Sequence, residues 1–208
     1  MSREYEIRMY NINETKLKKL IKDKGGTRKT KKTFFLIYSY ENDNLPNTVI
    51  RLRNEGNYTT MTIKSDLKSK YPIENEMIVS DIEEGHKIVT AMGCRRKYII
   101  EKIRQIFVID DCEIMFDQYP GLPPYVEFEA PTEAKLKKAL KKLNYSVNDH
   151  DSRKLEHFME ELYGISTDRQ KNNSLTFKNA KQILGPFIKK NKDKFNKILS
   201  NQKKYLKI

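Results

Sequence analysis

Six short stretches of this sequence place polar or charged side chains two residues apart: Glu4-x-Glu6-x-Arg8, Arg51-x-Arg53, Thr62-x-Lys64, Glu74-x-Glu76, Lys102-x-Arg104 and Glu127-x-Glu129, with a single Asp117 ahead of the last. Side chains alternate faces along a strand, so each doublet lies on one face. An amphipathic strand with a wet side accounts for any one of them. Together they hold both signs of charge, in a proportion that suits a polyphosphate and its metal ions.

Strands must position these residues, because the opposite positions are apolar: Tyr5, Ile7 and Met9, then Ile50 and Leu52, Met61 and Ile63, Ile99 and Ile103, Val126 and Phe128. The pattern predicts strands near 4–9, 33–40, 49–53, 59–64, 73–81, 97–108, 112–118 and 125–130, with a hairpin turn at Asn54-Glu55-Gly56-Asn57 and another at Asp110-Asp111. Helices are expected after Asn13, over 83–92 ended by Gly93, over 132–143 capped by Thr132, and over about 152–163 ended by Gly164. The basic run 28–32 reads as a loop. Each apolar face must bury against something, and the helices can cover it. Two arrangements satisfy this. Either the sheet is open with a wet charged face, or it curls so that the charged faces line its inside.

The 208-residue chain carries a formal net charge of +13. Residues 166–208 hold Arg169 and eleven lysines against Asp168 and Asp193, a net of +10, which leaves +3 for the rest. The basic balance therefore belongs mostly to the tail, where 174–207 has a helical pattern broken near Gly185-Pro186. The opening residues lack an apolar leader and no stretch reaches the ~18 apolar residues of a membrane span. Cys94 and Cys112 are the only cysteines, and they are expected as free thiols in a reducing cytoplasm. His86, His150 and His157 lack zinc-site spacing.

At the doublets the chain resembles the CYTH superfamily, the triphosphate tunnel metalloenzymes, which includes class IV adenylate cyclases, thiamine triphosphatases and inorganic triphosphatases. The family's Glu-x-Glu-x-Lys is similar to Glu4, Glu6 and Arg8, its Arg-x-Arg to Arg51 and Arg53, and its Thr-x-Lys to Thr62 and Lys64. Its middle Glu-x-Glu resembles Glu74 and Glu76, and its Lys-x-Arg resembles Lys102 and Arg104. Its late Asp, Gly-containing turn and Glu-x-Glu resemble Asp117, Gly121, and Glu127 with Glu129. The likeness runs over residues 3–163 in family order. Arg8 departs from the family's lysine: it keeps the charge but cannot act as a general base.

The resemblance implies an α+β fold over 1–165, an eight-stranded antiparallel β-barrel with a charged lumen and helices packed outside. Outside the resemblance, residues 166–208 are expected to form a basic, mostly helical C-terminal extension. The resemblance implies phosphate binding by Arg8, Arg51, Arg53, Lys64, Lys102 and Arg104, with the arginines as bidentate forks. Glu4, Glu6, Asp117, Glu127 and Glu129 would ligate metal, with Glu4, Glu6 and Glu129 catalytic and Glu74 and Glu76 in support. These hard oxygen donors suit Mg²⁺ or Mn²⁺, two ions by the family's pattern.

Three functions follow as expectations. The first is metal-dependent hydrolysis of a triphosphate: tripolyphosphate, a nucleoside or thiamine triphosphate, or an RNA 5′ end. The second is a class IV-type adenylate cyclase, and the third a tunnel that binds a triphosphate or RNA end without turnover. A homodimer and a tail that contacts nucleic acid or another protein are the partner expectations, with no membrane.

Overall fold

The computed structural model describes residues 2–3, 5–69, 72–167 and 174–208. Ten strands form one antiparallel sheet: β1 (Ser2–Arg3), β2 (Tyr5–Met9), β3 (Thr27–Arg28), β4 (Thr33–Glu41), β5 (Val49–Asn54), β6 (Thr59–Ser65), β7 (Ile73–Val79), β8 (Arg95–Ile109), β9 (Cys112–Gln118) and β10 (Tyr125–Ala130). Eight of them are those the alternation predicts. The other two are two-residue pieces, and β3 puts part of the presumed basic loop into a ladder with β8.

The path through the sheet is β1-β7-β6-β5-β4-β8-β9-β10-β2. Its two ends are neighbours in the chain, so the sheet curls until the N-terminal segment meets both. Ser2 and Arg3 pair with Glu74 and Ile73, while Tyr5 to Met9 pair with β10. Farther along β2 the edge away from β10 is taken by a loop: the Arg8 amide donates to His150 Nδ1 at 3.0 Å, and the Asp151 amide donates to the Arg8 carbonyl at 2.7 Å. A bare edge is thus avoided without a full ladder.

Helices cover the outside. α1 (Glu14–Asp23) starts where Asn13 accepts from the Lys16 amide, and α3 (Glu133–Lys142) starts where Thr132 accepts from Lys135. Leu17, Ile21, Leu136, Ala139 and Leu140 from these two helices pack on Ile7, Met9, Phe107, Ile114, Phe116, Val126 and Phe128. α2 (Ile82–Ala91), capped by Asp81, lays Ile82 and Val89 over Tyr38, Tyr40, Ile50 and Leu52. The apolar strand positions therefore face outward, into the helices, because only there can they leave water. No described helix is long and apolar enough to cross a membrane.

α4 (Leu155–Tyr163) ends at Gly164 in the left-handed region and packs with the tail. The tail first pairs Leu175 with β8 at Ile100. There the Leu175 amide donates to the Ile99 carbonyl at 2.8 Å and the Phe177 amide to Glu101 at 2.7 Å. This stretch of β8 lies beyond the end of β9, so the tail supplies hydrogen bonds that the sheet leaves unmade. α5 (Ala180–Leu184), a 3₁₀ turn at Gly185–Phe187 and α6 (Lys192–Leu206) follow. The break falls at Gly185-Pro186, as the proline requires.

Phe177, Leu184, Phe195 and Leu199 share a core with Tyr10, Ile103, Leu122, Tyr125 and Phe158. Gln202 fastens α6 to the turn after β9: it accepts from the Gly121 amide at 2.8 Å and donates to the Tyr119 and Leu122 carbonyls. Gly121 has φ +76°, and a Cβ there would come within 2.2 Å of the Phe195 ring. Phe195→Ala is expected to cost about 3–5 kcal/mol, read as a lowered thermal midpoint of the whole chain. Retention of the wild-type midpoint would show that α6 contributes nothing to the fold.

Candidate active site

Cross-strand neighbours in an antiparallel sheet share a face, so the register shows which residues look into the lumen. Glu74 pairs with Lys64, Glu76 with Thr62, Thr62 with Arg51, and Thr60 with Arg53. Arg51 and Arg53 lie beside Ser39 and Ile37 on β4, and Phe35 lies beside Lys102. Arg104 pairs with Asp117, Asp117 with Tyr125, Glu127 with Arg8, and Glu129 with Glu6. One face thus carries Glu6, Arg8, Arg51, Arg53, Thr62, Lys64, Glu74, Glu76, Lys102, Arg104, Asp117, Glu127 and Glu129. It is the face away from α1, α2 and α3. Glu4, expected among the ligands, lies outside the described residues.

One side of this lumen is an ion cluster that is dry at Asp117, Lys102, Glu127 and Arg104, with Arg8 30 % exposed at its margin. Arg104 grips Asp117 through Nε and Nη2, both at 2.6 Å, and reaches Glu127 at 2.9 Å. Lys102 Nζ donates to Asp117 at 2.8 Å, and Arg8 donates to Glu127 through Nε at 2.8 Å and Nη2 at 2.6 Å. Asp117 is 0 % exposed, Lys102 5 %, Glu127 6 % and Arg104 8 %. Burial opposes the charge of Asp117, but Arg104 and Lys102 more than offset it and hold its carboxyl well below the usual range. Glu127 is likewise lowered: burial is overcome by Arg8 and Arg104, against repulsion from Asp117. Lys102 goes the other way. Burial and the adjacent Arg104 outweigh its pair with Asp117 and bring the amine down to about 8.

The other side is looser. Arg51 Nη2 stands 3.7 Å from Glu74, and Lys64 Nζ stands 3.6 Å from the same carboxylate. Their side chains are 28 % and 20 % exposed. Arg53 is held more firmly, by Glu55 at 2.7 Å and Glu76 at 3.0 Å, and Thr62 also donates to Glu76 at 2.9 Å. These are cations in reach of water whose carboxylate partners can be exchanged for phosphate oxygens.

Between the two sides sits Phe35, a residue that the charge pattern did not single out. Its ring centre is 5.9 Å from the Arg53 guanidinium carbon, 5.8 Å from Lys102 Nζ and 5.8 Å from that of Arg104. Tyr125 was also missed. It underlies Arg8 at 5.6 Å and stacks on Tyr119, closing the dry side with Tyr10 and Phe158. Thr60, beside Arg53, was missed as well. Over Phe34–Tyr40 neither face of β4 is charged, so alternation carried no signal for Phe35. A lone threonine or tyrosine gives none either.

Among the described residues no three His, Cys, Asp or Glu side chains are gathered as a metal site. Glu6 and Glu129 nevertheless stand directly opposite each other across β2 and β10, Glu6 also 3.4 Å from Arg8, and Glu113, paired with Lys29, follows on β9. Like charges directly opposite repel, and a hard cation beside them would relieve this. The donors are all oxygen, so they fit Mg²⁺ or Mn²⁺ in kind. Asp117 and Glu127 are already committed to arginine and lysine.

Comparison with known proteins agrees with this architecture. A protein from Vibrio parahaemolyticus, proposed to be an adenylate cyclase, superposes with a TM-score of 0.64 at 14% identity, over 76% of this chain and 98% of its own. The PH1012 protein of Pyrococcus horikoshii gives 0.60 at 16% identity over 73% and 96%, and the PH1819 protein of the same organism 0.56 at 21% over 76% and 99%. At such identities the likeness is one of fold. No curated relative matches by sequence. The CYTH domain family model matches residues 2–158, from the first strand into α4. With most of its length matched and its sheet curled around the charged face, the chain belongs to the CYTH domain family.

Proposed function

We propose that the chain is a divalent-metal-dependent triphosphatase that hydrolyses the terminal phosphoryl group of a triphosphate lying in the lumen. The observation that carries this reading is the pairing of Arg51 with Glu74 at 3.7 Å, with the Arg51 side chain 28 % exposed, on a face that also bears Lys64, Arg53 and carboxylates. A cation held at that distance can turn to an anionic ligand at little cost. Arg51, Lys64 and, after release from Glu76, Arg53 would bind and orient the phosphates. Arg8, always charged, would position and never accept a proton.

Glu6 and Glu129 are the described residues that would hold the Mg²⁺ or Mn²⁺, with Glu4 assigned beside them from the sequence pattern. The bound ion would neutralise phosphate charge and lower the pKa of a water. Asp117 and Glu127 act here through Lys102, Arg104 and Arg8, whose places they set. The adjacent Glu74 and Glu76 keep the phosphate-binding cations in place between turnovers. In the reaction a water oxygen bonds to the terminal phosphorus and the phosphorus–oxygen bond to the bridging oxygen breaks. Orthophosphate and a diphosphate leave, with one proton released.

The test is product analysis with tripolyphosphate and with ATP, each with Mg²⁺ and with Mn²⁺, beside a Glu6→Ala/Glu129→Ala control. Orthophosphate that the control fails to release is the expected result, with ADP as the partner product from ATP. Cyclic AMP with pyrophosphate would replace hydrolysis by cyclisation. Tight binding with no turnover of either compound would replace it by a binding function.

A further inference from the structure

Thr60 has a feature of the lumenal wall that the internal network among the described residues does not explain. It is 1 % exposed, and its hydroxyl has no hydrogen-bond partner among the described residues. A buried hydroxyl without a partner is costly, and threonine has an isosteric apolar alternative in valine. Its neighbours argue against an incidental orphan. Thr62, the next residue on the same face of β6, is satisfied by Glu76 at 2.9 Å. Thr60 is the cross-strand neighbour of Arg53 on one side and of Ile78 on the other. Arg53 is drawn to Glu55 and Glu76, and Tyr58 also donates to Glu55 at 3.0 Å. The guanidinium beside Thr60 is therefore engaged sideways, and the hydroxyl is left over.

We propose that Thr60 is a ligand-binding residue of the lumen, whose hydroxyl donates to a phosphate oxygen once Arg53 leaves Glu76 for the same phosphate. The proposal rests on the triphosphate reading and adds a neutral donor to its cations. The exchange is balanced in hydrogen bonds. Arg53 trades a carboxylate for a phosphate oxygen, Glu76 keeps Thr62, and Thr60 gains the partner it lacks. A neutral donor next to a guanidinium also selects for an acceptor with several oxygens around one centre, as a phosphoryl group has, over a single carboxylate.

The experiment compares the full-length wild type with Thr60→Val, Thr60→Ser and Arg51→Ala, using tripolyphosphate with Mg²⁺ as the probe. Thermal unfolding without the probe and calorimetric titration with it are measured for each. Thr60→Val is expected to unfold at or above the wild-type midpoint, because it removes an unsatisfied group, while binding tripolyphosphate about tenfold more weakly. Thr60→Ser keeps a hydroxyl and is expected to bind within about twofold of wild type. Unchanged affinity in Thr60→Val, with Arg51→Ala weakened, would overturn the role of Thr60 and leave the triphosphate site standing. A lowered midpoint in Thr60→Val would overturn it too, since the hydroxyl would then be bonded within the fold. If the wild type does not bind the probe, the triphosphate reading falls, and this assignment with it.

Discussion

Asp117→Ala is expected to lower stability by roughly 3–5 kcal/mol, the cost of leaving buried charges without their partner. In a chain of this length that is a fall of about 6–20 °C in Tm. The reason is the number of cations that depend on one carboxylate. Arg104 makes two bonds to Asp117 and Lys102 a third, in a place with no solvent to replace it. Lys102→Met and Arg104→Met combined with Asp117→Leu are expected to recover much of the loss, because the apolar replacements remove all three charges with their desolvation while Glu127 keeps Arg8. Thermal unfolding of the three proteins measures this. Equal stability of Asp117→Ala and wild type would mean that water enters the cluster.

The same cluster sets an acid limit. The ordinary values of Asp117 and Glu127 are 3.8 and 4.5, and both are lower in the folded chain. The folded state therefore binds these protons less readily than the unfolded state. The stabilisation is complete above the ordinary values and is lost as pH falls through and below them. Asp117→Asn is expected to flatten the dependence of Tm on pH between roughly 5 and 2, since it removes the most strongly shifted carboxyl. An unaltered slope would place the acid sensitivity elsewhere.

Arg51→Ala is expected to have the opposite profile, a large effect on function with little on the fold. It removes a cation that meets Glu74 at 3.7 Å and is partly open to water. Loss of such a pair costs about 0–1 kcal/mol of stability. A charge-assisted hydrogen bond to a phosphate contributes about 1.5–3 kcal/mol, so kcat/KM for tripolyphosphate should fall by about 10- to 150-fold. Steady-state kinetics alongside thermal unfolding separates the two. A stability loss as large as that of Asp117→Ala, with kinetics unchanged, would make the open wall structural as well.

The contrast between the two walls was not legible in the doublets. Lys102-x-Arg104 and Arg51-x-Arg53 look alike as sequence, yet one pair is dry and the other partly wet. The difference arises because Asp117 and Glu127 arrive from β9 and β10 beside Lys102 and Arg104, while Arg51 meets Glu74 and Arg53 meets Glu55 and Glu76 with both arginines partly exposed. Phe35 was hidden for a related reason. Its strand has aromatic or aliphatic residues on both faces and no charged doublet, so no period marks the side that looks inward.

Local chemistry along the chain was enough for the strands, the helix caps at Asn13 and Thr132, the stop at Gly164 and the break at Gly185-Pro186. Each of these depends on residues within a few positions, where alternation, capping and backbone constraint act. The common face of the charged doublets was also readable, since it follows from a period of two. Partner choice needed the folded sheet. Which carboxylate meets which cation depends on register between strands far apart in sequence, and the tail's place depended on a free stretch of β8 and on the gap left by Gly121. Such contacts belong to no local stretch of sequence. They exist only once the sheet has curled and water has been driven from one side of its lumen.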